Sequence, residues 1–147
     1  MKNCAYSIKT TRVKEPDFPY HGQTLSCTTE VLEFVKMLQD QDNEKFITIY
    51  MDAANHVICI QVVNGIVNQA TVYPREVIRH ALLVNACAMI LVHNHPSGVV
   101  KPSDPDIRLT KIIADIGKSL DITVHDHFII GENRFFSFRE EGLMDIH

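Results

Sequence analysis

Two histidines one residue apart, His93 and His95, stand at the end of the apolar run Ala88 to Val92, and Ser103 and Asp106 follow in the same stretch. In an extended segment residues i and i+2 project to the same side, so both imidazoles would emerge together where a buried strand ends, with Asn94 pointing the other way. Pro96 and Gly98 then turn the chain. Ser103 with Asp106 three residues on has the pattern of a helix entry. A strand end, a tight loop and a first helical turn thus gather His93, His95 and Asp106, two nitrogen donors and one hard oxygen donor. A catalytic zinc site holds its metal through three such groups and leaves one position open for water. Taken singly, Ser-x-x-Asp ahead of an apolar stripe is most often a capping box, and a lone histidine is most often structural. The weight lies on the combination.

The elements that must position these residues can be taken in order. Tyr6 to Val13 alternates loosely as an edge strand, and Pro16, Pro19 and Gly22 mark an irregular connection. A helix is predicted from Thr29 to Leu38, with Val31, Leu32, Val35 and Leu38 as its stripe and Thr28 or Thr29 as its cap. A polar break ends at Glu44, directly before the strand Phe46 to Met51. Asp52 to Asn55 turns the chain into a return strand, His56 to Val63. Ile66 to Tyr73 reads as a further short strand, and Pro74 suits the first turn of a helix running to Leu83, its apolar positions toward the sheet. The helix entered at Ser103 carries Leu109, Ile112, Ile113, Ile116 and Leu120 as its core face. Ile122 to Ile130, a turn at Gly131 to Asn133, and Arg134 to Arg139 form a closing hairpin. Helices interleaved with hairpins predict an α/β fold with a mixed central sheet and helices on both faces. The organisation expected is one domain, in which residues 1–43 form a leader strand and helix and residues 44–147 the core.

Composition narrows the function classes. The chain has 147 residues, enough to bury a core, and a formal net charge of −4 with the signs interspersed. Nucleic acid is therefore a disfavoured partner, since no block of Lys or Arg offers a phosphate-binding face. No apolar run approaches a membrane span, and the first residues lack the apolar centre of a signal peptide, so a cytoplasmic protein with no membrane partner is expected. Cys4, Cys27, Cys59 and Cys87 show no paired spacing, which predicts neither a disulfide nor a cysteine zinc site. Composition leaves the oligomeric state open.

Several neighbouring chemistries fail on their own requirements. Zinc nucleobase deaminases need His-x-Glu and Pro-Cys-x-x-Cys, which this chain lacks. His-Glu-x-x-His, the helical zinc-protease signature, is absent. In the nuclease motif abbreviated HNH the three residues are dispersed, not consecutive as in His93-Asn94-His95.

His93-x-His95, seven residues, Ser103, two residues, Asp106 resembles the JAMM (JAB1/MPN) metalloprotease signature. The longer string His93-Asn94-His95-Pro96-Ser97-Gly98 with Pro102-Ser103, Pro74-Arg75-Glu76-Val77 upstream and Asp126-His127-Phe128-Ile129-Ile130-Gly131 downstream is similar to the RadC-like branch, over about Glu44 to Phe138. The resemblance implies the JAB1/MPN, cytidine-deaminase-like architecture. It implies zinc held by His93, His95 and Asp106 with water as fourth ligand, and Ser103 positioning that water or stabilising an oxyanion. A glutamate before an upstream strand would be the general base. Glu44 fits, ahead of Glu30, Glu33 and Glu76.

Zinc lowers the pKa of its water from about 15.7 toward roughly 7, so a nearby carboxylate can take the proton at neutral pH. The reaction expected is hydrolysis of a peptide or isopeptide bond, with a protein or peptide as substrate. Two other readings compete: a DNA-repair or recombination accessory protein, as the RadC name implies, and an inactive metal-bearing MPN scaffold. All motif positions are filled here, which favours an active site. The remaining histidines and arginines go to ordinary roles. His80, Arg75 and Arg79 belong to a helix surface, His56 to a turn and His147 to the terminus, while His125 and His127 alternate in a strand, where one could support the metal ligands.

Overall fold

The computed structural model describes residues 22–36, 43–64 and 72–144. At its centre run β1 (Lys45–Met51) and β3 (Ala88–Asn94), antiparallel to each other. β2 (Val57–Asn64) flanks β1, while β4 (Thr123–Gly131) and β5 (Arg134–Ser137) extend the other side, in the order β2-β1-β3-β4-β5. Every pairing among these described strands is antiparallel except β3 with β4, which are parallel and joined by α3 (Asp104–Ser119). A parallel pair requires such a crossover. The expected mixed sheet is thereby explained: one βαβ unit is set among hairpins.

Alternation along β1 divides the interior in two. Phe46 and Tyr50 face Val77, Ile78 and Ala81 of α2 (Pro74–Leu83) and Leu109 and Ile113 of α3, with Leu91 of β3 between. Ile47, Ile49 and Met51 face Val31, Phe34 and Val35 of α1 (Thr28–Val35), together with Ile90, Val92, Phe128 and Ile130. Both sheet faces are covered, so the central strands are apolar on both sides and read as nearly continuous hydrophobic runs.

The structure corrects several details. α1 is capped by Cys27, which makes no side-chain cap bond, not by Thr28 or Thr29, while Glu30 accepts the Ser26 N–H at 2.6 Å. On α3 the buried positions are Asp106, Leu109, Thr110, Ile113 and Gly117, whereas Ile112, Ile116 and Leu120 are exposed. The apolar stripe was misphased because an acid, a threonine and a glycine hold sheet-facing positions. β5 ends at Ser137, where the Ser137 hydroxyl donates to Asp126 and accepts from the Glu140 N–H, turning the chain. Tyr6 to Val13, Leu38 and residues 66–71 lie outside the described residues. Val72 and Tyr73 are irregular chain leading into α2.

Candidate metal centre

β3 carries His93 as its penultimate residue, and His95 follows the strand's last residue, Asn94. The strand persists this far because the His95 N–H donates to the Ile130 carbonyl at 2.8 Å, continuing the contact with β4. The two imidazoles lie edge to face, with centroids 4.8 Å apart. Beyond them the loop folds back, and the His95 Nδ1 lies 2.7 Å from the Val99 carbonyl. A carbonyl only accepts, so Nδ1 carries the proton and the neutral ring presents its Nε2 lone pair.

α3 begins above this strand end. Ser103 is its N-cap: the Ser103 hydroxyl oxygen accepts from the Asp106 N–H at 3.2 Å, and the Ser103 N–H donates to Asp106 Oδ2 at 2.8 Å. The same Asp106 carboxylate faces His93 Nδ1 at 3.2 Å and His95 Nε2 at 3.6 Å. Burial by itself would raise the Asp106 carboxyl, but its bonds to His93 and Ser103 and the nearby His95 ring outweigh that and hold it far below the usual carboxylate range. Asp106 also pulls the other way on its partner, since its carboxylate, 3.6 Å from the ring's Nε2, is the main cause raising the His95 pKa.

Glu44 completes the cluster from the residue before β1. Its Oε1 stands 2.8 Å from His93 Nε2 and 3.9 Å from His95 Nε2. Donor atoms of Glu44, His93 and His95 lie within 4.8 Å of one another, close enough for this His-His-Glu group to hold one metal ion. Asp106 adds a second carboxylate beside the same histidines. A donor set of imidazole nitrogens and carboxylate oxygens fits a borderline divalent ion such as zinc. Burial separates the two acids: the Asp106 side chain is 1% exposed and the Glu44 side chain 28%.

All five residues singled out in the sequence, Glu44, His93, His95, Ser103 and Asp106, are therefore assembled in one place. The competing glutamates are not. Glu30 and Glu33 ride on α1, which packs against the opposite sheet face, and Glu76 pairs with Arg79 at 2.9 Å. His56 pairs with Asp52 at 3.0 Å, the half-buried His80 donates to the Glu76 carbonyl, and His125 bonds Asn55.

Two contributors, Asn94 and Thr110, escaped sequence reasoning as site supports, and a third, His127, was offered there only as an alternative with His125. The Asn94 side chain takes the Lys45 N–H at 2.6 Å and donates to the Asn43 carbonyl at 3.1 Å, gripping the chain on either side of Glu44. Thr110 donates to the Asp106 carbonyl at 2.7 Å and lies 2.6 Å from His127 Nδ1. With the only hydroxyl proton committed, the ring must be the donor there. His127 is consequently a neutral Nδ1–H tautomer packed between Phe46 and Phe138. Its Nε2 finds no hydrogen-bond partner among the described residues. The i, i+4 spacing of Asp106 and Thr110 was the available signal, since it places both on one helix face.

A family model for the RadC-like JAB domain matches residues 25–143. Among curated proteins the chain is similar to a UPF0758 protein of Photobacterium profundum, 44% identical over 108 residues, which covers 73% of this chain and 48% of that protein. It is 46% identical over 107 residues to a UPF0758 protein of Vibrio vulnificus (strain YJ016), covering 72% and 48% respectively. A UPF0758 protein of Methanosarcina acetivorans is 44% identical over 108 residues, or 73% of this chain and 47% of that one. The chain spans about half the length of the curated relatives it matches.

Proposed function

The chain belongs to the RadC-like JAB domain family, and from that membership and the geometry at the end of β3 we propose a zinc-dependent hydrolase that cleaves amide bonds in a protein or peptide. The observation that carries the reading is the position of Glu44, a partly exposed carboxylate brought by the residue before β1 to 2.8 Å from His93 Nε2. A histidine pair with one buried acid would suffice to hold a metal. A second acid, open to solvent, supplies what hydrolysis needs besides.

His93, His95 and Asp106 would hold the ion. When bound, zinc supplies a Lewis acid for the amide carbonyl and lowers the pKa of its water toward roughly 7. Glu44 would accept the water's proton on a carboxylate oxygen and pass it to the leaving amine nitrogen, which otherwise could not depart. Glu44 takes this task instead of Asp106 because Asp106 is buried and committed to the helix cap. The Ser103 oxygen already accepts from the Asp106 N–H, so its own proton is left to donate toward the carbonyl oxygen of a substrate.

The test is metal analysis of the purified full chain together with a screen for cleavage of peptide and isopeptide bonds, with and without chelator. His93→Ala, His95→Ala and Asp106→Ala should each lower zinc occupancy sharply. Glu44→Gln should keep zinc and thermal stability near wild type while hydrolysis falls by about 10² to 10⁴. Stoichiometric zinc in a variant lacking all three ligands would refute the metal assignment. Salt-dependent retention on DNA with no amide hydrolysis would put the DNA-repair accessory reading in its place.

A further inference from the structure

We infer that Asn94 is a positioning residue whose side-chain amide clamps the backbone on both sides of Glu44 and so aims the Glu44 carboxylate at the metal centre; this rests on the reading of Glu44 given above. The backbone register between β1 and β3 runs from Met51–Ala88 to Phe46–His93. Antiparallel pairing would next set Lys45 opposite Asn94, and there a side chain takes over from the main chain. Asn94 Oδ1 accepts the Lys45 N–H at 2.6 Å, and Asn94 Nδ2 donates to the Asn43 carbonyl at 3.1 Å. These two contacts reproduce one rung of a ladder, and Glu44 is the residue held between them.

The direction of the grip follows from alternation. Glu44 shares the parity of Phe46, whose ring contacts His93 at a centroid distance of 5.9 Å, so its side chain projects to the His93 face. Asn94 has the opposite parity to its neighbours His93 and His95. Its amide is thereby turned away from the cluster and available to the backbone.

Among side chains of this length only asparagine offers a donor and an acceptor fixed in one plane. The partners also settle which way the amide points, because Lys45 N–H can only donate and the Asn43 carbonyl can only accept. Aspartate would keep the bond from Lys45 but set a carboxylate oxygen against the Asn43 carbonyl, and alanine would release both. Asn94 is 4% exposed, so water would not readily replace what is lost.

The test compares wild type, Asn94→Ala, Asn94→Asp, Glu44→Gln and the double variant Asn94→Ala/Glu44→Gln, each as the full chain loaded with Co²⁺. Visible absorption reads the metal surroundings, chelator competition reads Co²⁺ affinity, and thermal melting reads the fold. Asn94→Ala should move the Co²⁺ spectrum part of the way that Glu44→Gln moves it, Asn94→Asp less far, and the double variant should match Glu44→Gln alone. On a cleavable amide, Asn94→Ala should lower kcat by about 10- to 10²-fold with KM little changed, as expected when a reacting group is misplaced. The inference is overturned if Glu44→Gln changes the spectrum while both Asn94 variants keep the wild-type spectrum and merely melt earlier. It is also overturned if the effect of Asn94→Ala persists in full on the Glu44→Gln background. If Glu44→Gln leaves both the Co²⁺ spectrum and the hydrolysis rate as in wild type, Glu44 does not act at the metal, and the functional reading falls together with this inference; unchanged Co²⁺ affinity alone is what a base outside the ligand set predicts.

Discussion

Asp106 joins two demands in a single carboxylate, closing the first turn of α3 while facing both imidazoles. Its cap partner Ser103 can be tested for a role beyond capping. If Ser103 only caps, Ser103→Ala should cost about 0.5 to 2 kcal/mol, and Ser103→Asn should restore stability and activity together. A donor to the substrate oxygen predicts instead that the rate falls by on the order of 10² to 10³ and stays low in Ser103→Asn. Urea melts and hydrolysis rates of the two variants separate the cases. His127, on the far side of Thr110, sets a different sensitivity. Burial, reinforced by His93 and His95 and opposed by Asp106, pushes its pKa from 6.5 down to about 3. The folded state thus disfavours a proton that the unfolded chain accepts. Stability contributed by neutral His127 is complete above about pH 6.5 and is lost as the pH falls toward 3, by at most about 1.4 kcal/mol per pH unit. Urea midpoints of metal-free protein between pH 7 and pH 4 should decline more steeply for wild type than for His127→Phe, which keeps an aromatic ring but cannot titrate; equal slopes would remove His127 as the cause. Such residues show what was legible in the chain. His93, His95, Ser103 and Asp106 stood out because their spacing is local, whereas the roles of Asn94 and His127 depend on which strand or helix lies opposite, and spacing along the chain does not contain that.

Elements were legible where punctuation was strong. α2 begins at Pro74, as its fixed φ suits, and runs to Leu83 as expected. α3 was correctly started by its capping box but wrongly rotated, since Asp106, Thr110 and Gly117 occupy positions that a hydrophobic count ignores. Glycine placement shows how tightly the loop after β3 is seated. A Cβ on Gly131, at the end of β4, would lie 2.7 Å from the Gly98 carbonyl oxygen and 2.8 Å from Val100 Cγ1. The loop that presents the Val99 carbonyl to His95 therefore depends on a bare backbone in the next strand. Gly131→Ala should destabilise the fold by about 1 to 3 kcal/mol and weaken zinc binding by disturbing His95. Gly117→Ala makes a comparable clash, 2.6 Å from the Ile122 carbonyl oxygen, at the other end of α3. It should lower the melting temperature while leaving the zinc affinity of the folded protein unchanged. Zinc titrations below both melting transitions distinguish the two, and equal affinities would deny the loop its part in orienting His95.

Across the whole molecule, the three-layer arrangement followed from the order of helical and extended patterns, while the strand order β2-β1-β3-β4-β5 did not, because nothing local says that β3 should pair with β1 on one side and β4 on the other. None of the described helices is long and apolar enough to cross a membrane. The sheet order also divides the site by origin. His93, His95, Ser103 and Asp106 all belong to one strand-loop-helix unit, closed by a short loop, whereas Glu44 joins only through the first residues of β1. Contacts closed by short loops are gained early and those between distant segments late, and partial opening reverses that order. A lifting of the start of β1 would leave His93, His95 and Asp106 assembled and withdraw Glu44, the base of the proposed reaction. On gentle heating of the zinc-loaded chain, hydrolysis should fade over a range in which metal is still retained, and amide exchange at Lys45 should quicken before exchange at His95. Simultaneous loss of activity and zinc would mean that the two parts open as one. On the proposed reading, a state with the start of β1 lifted would be metal-loaded and silent, so that whatever grips or frees that segment would govern turnover without competing for the ion.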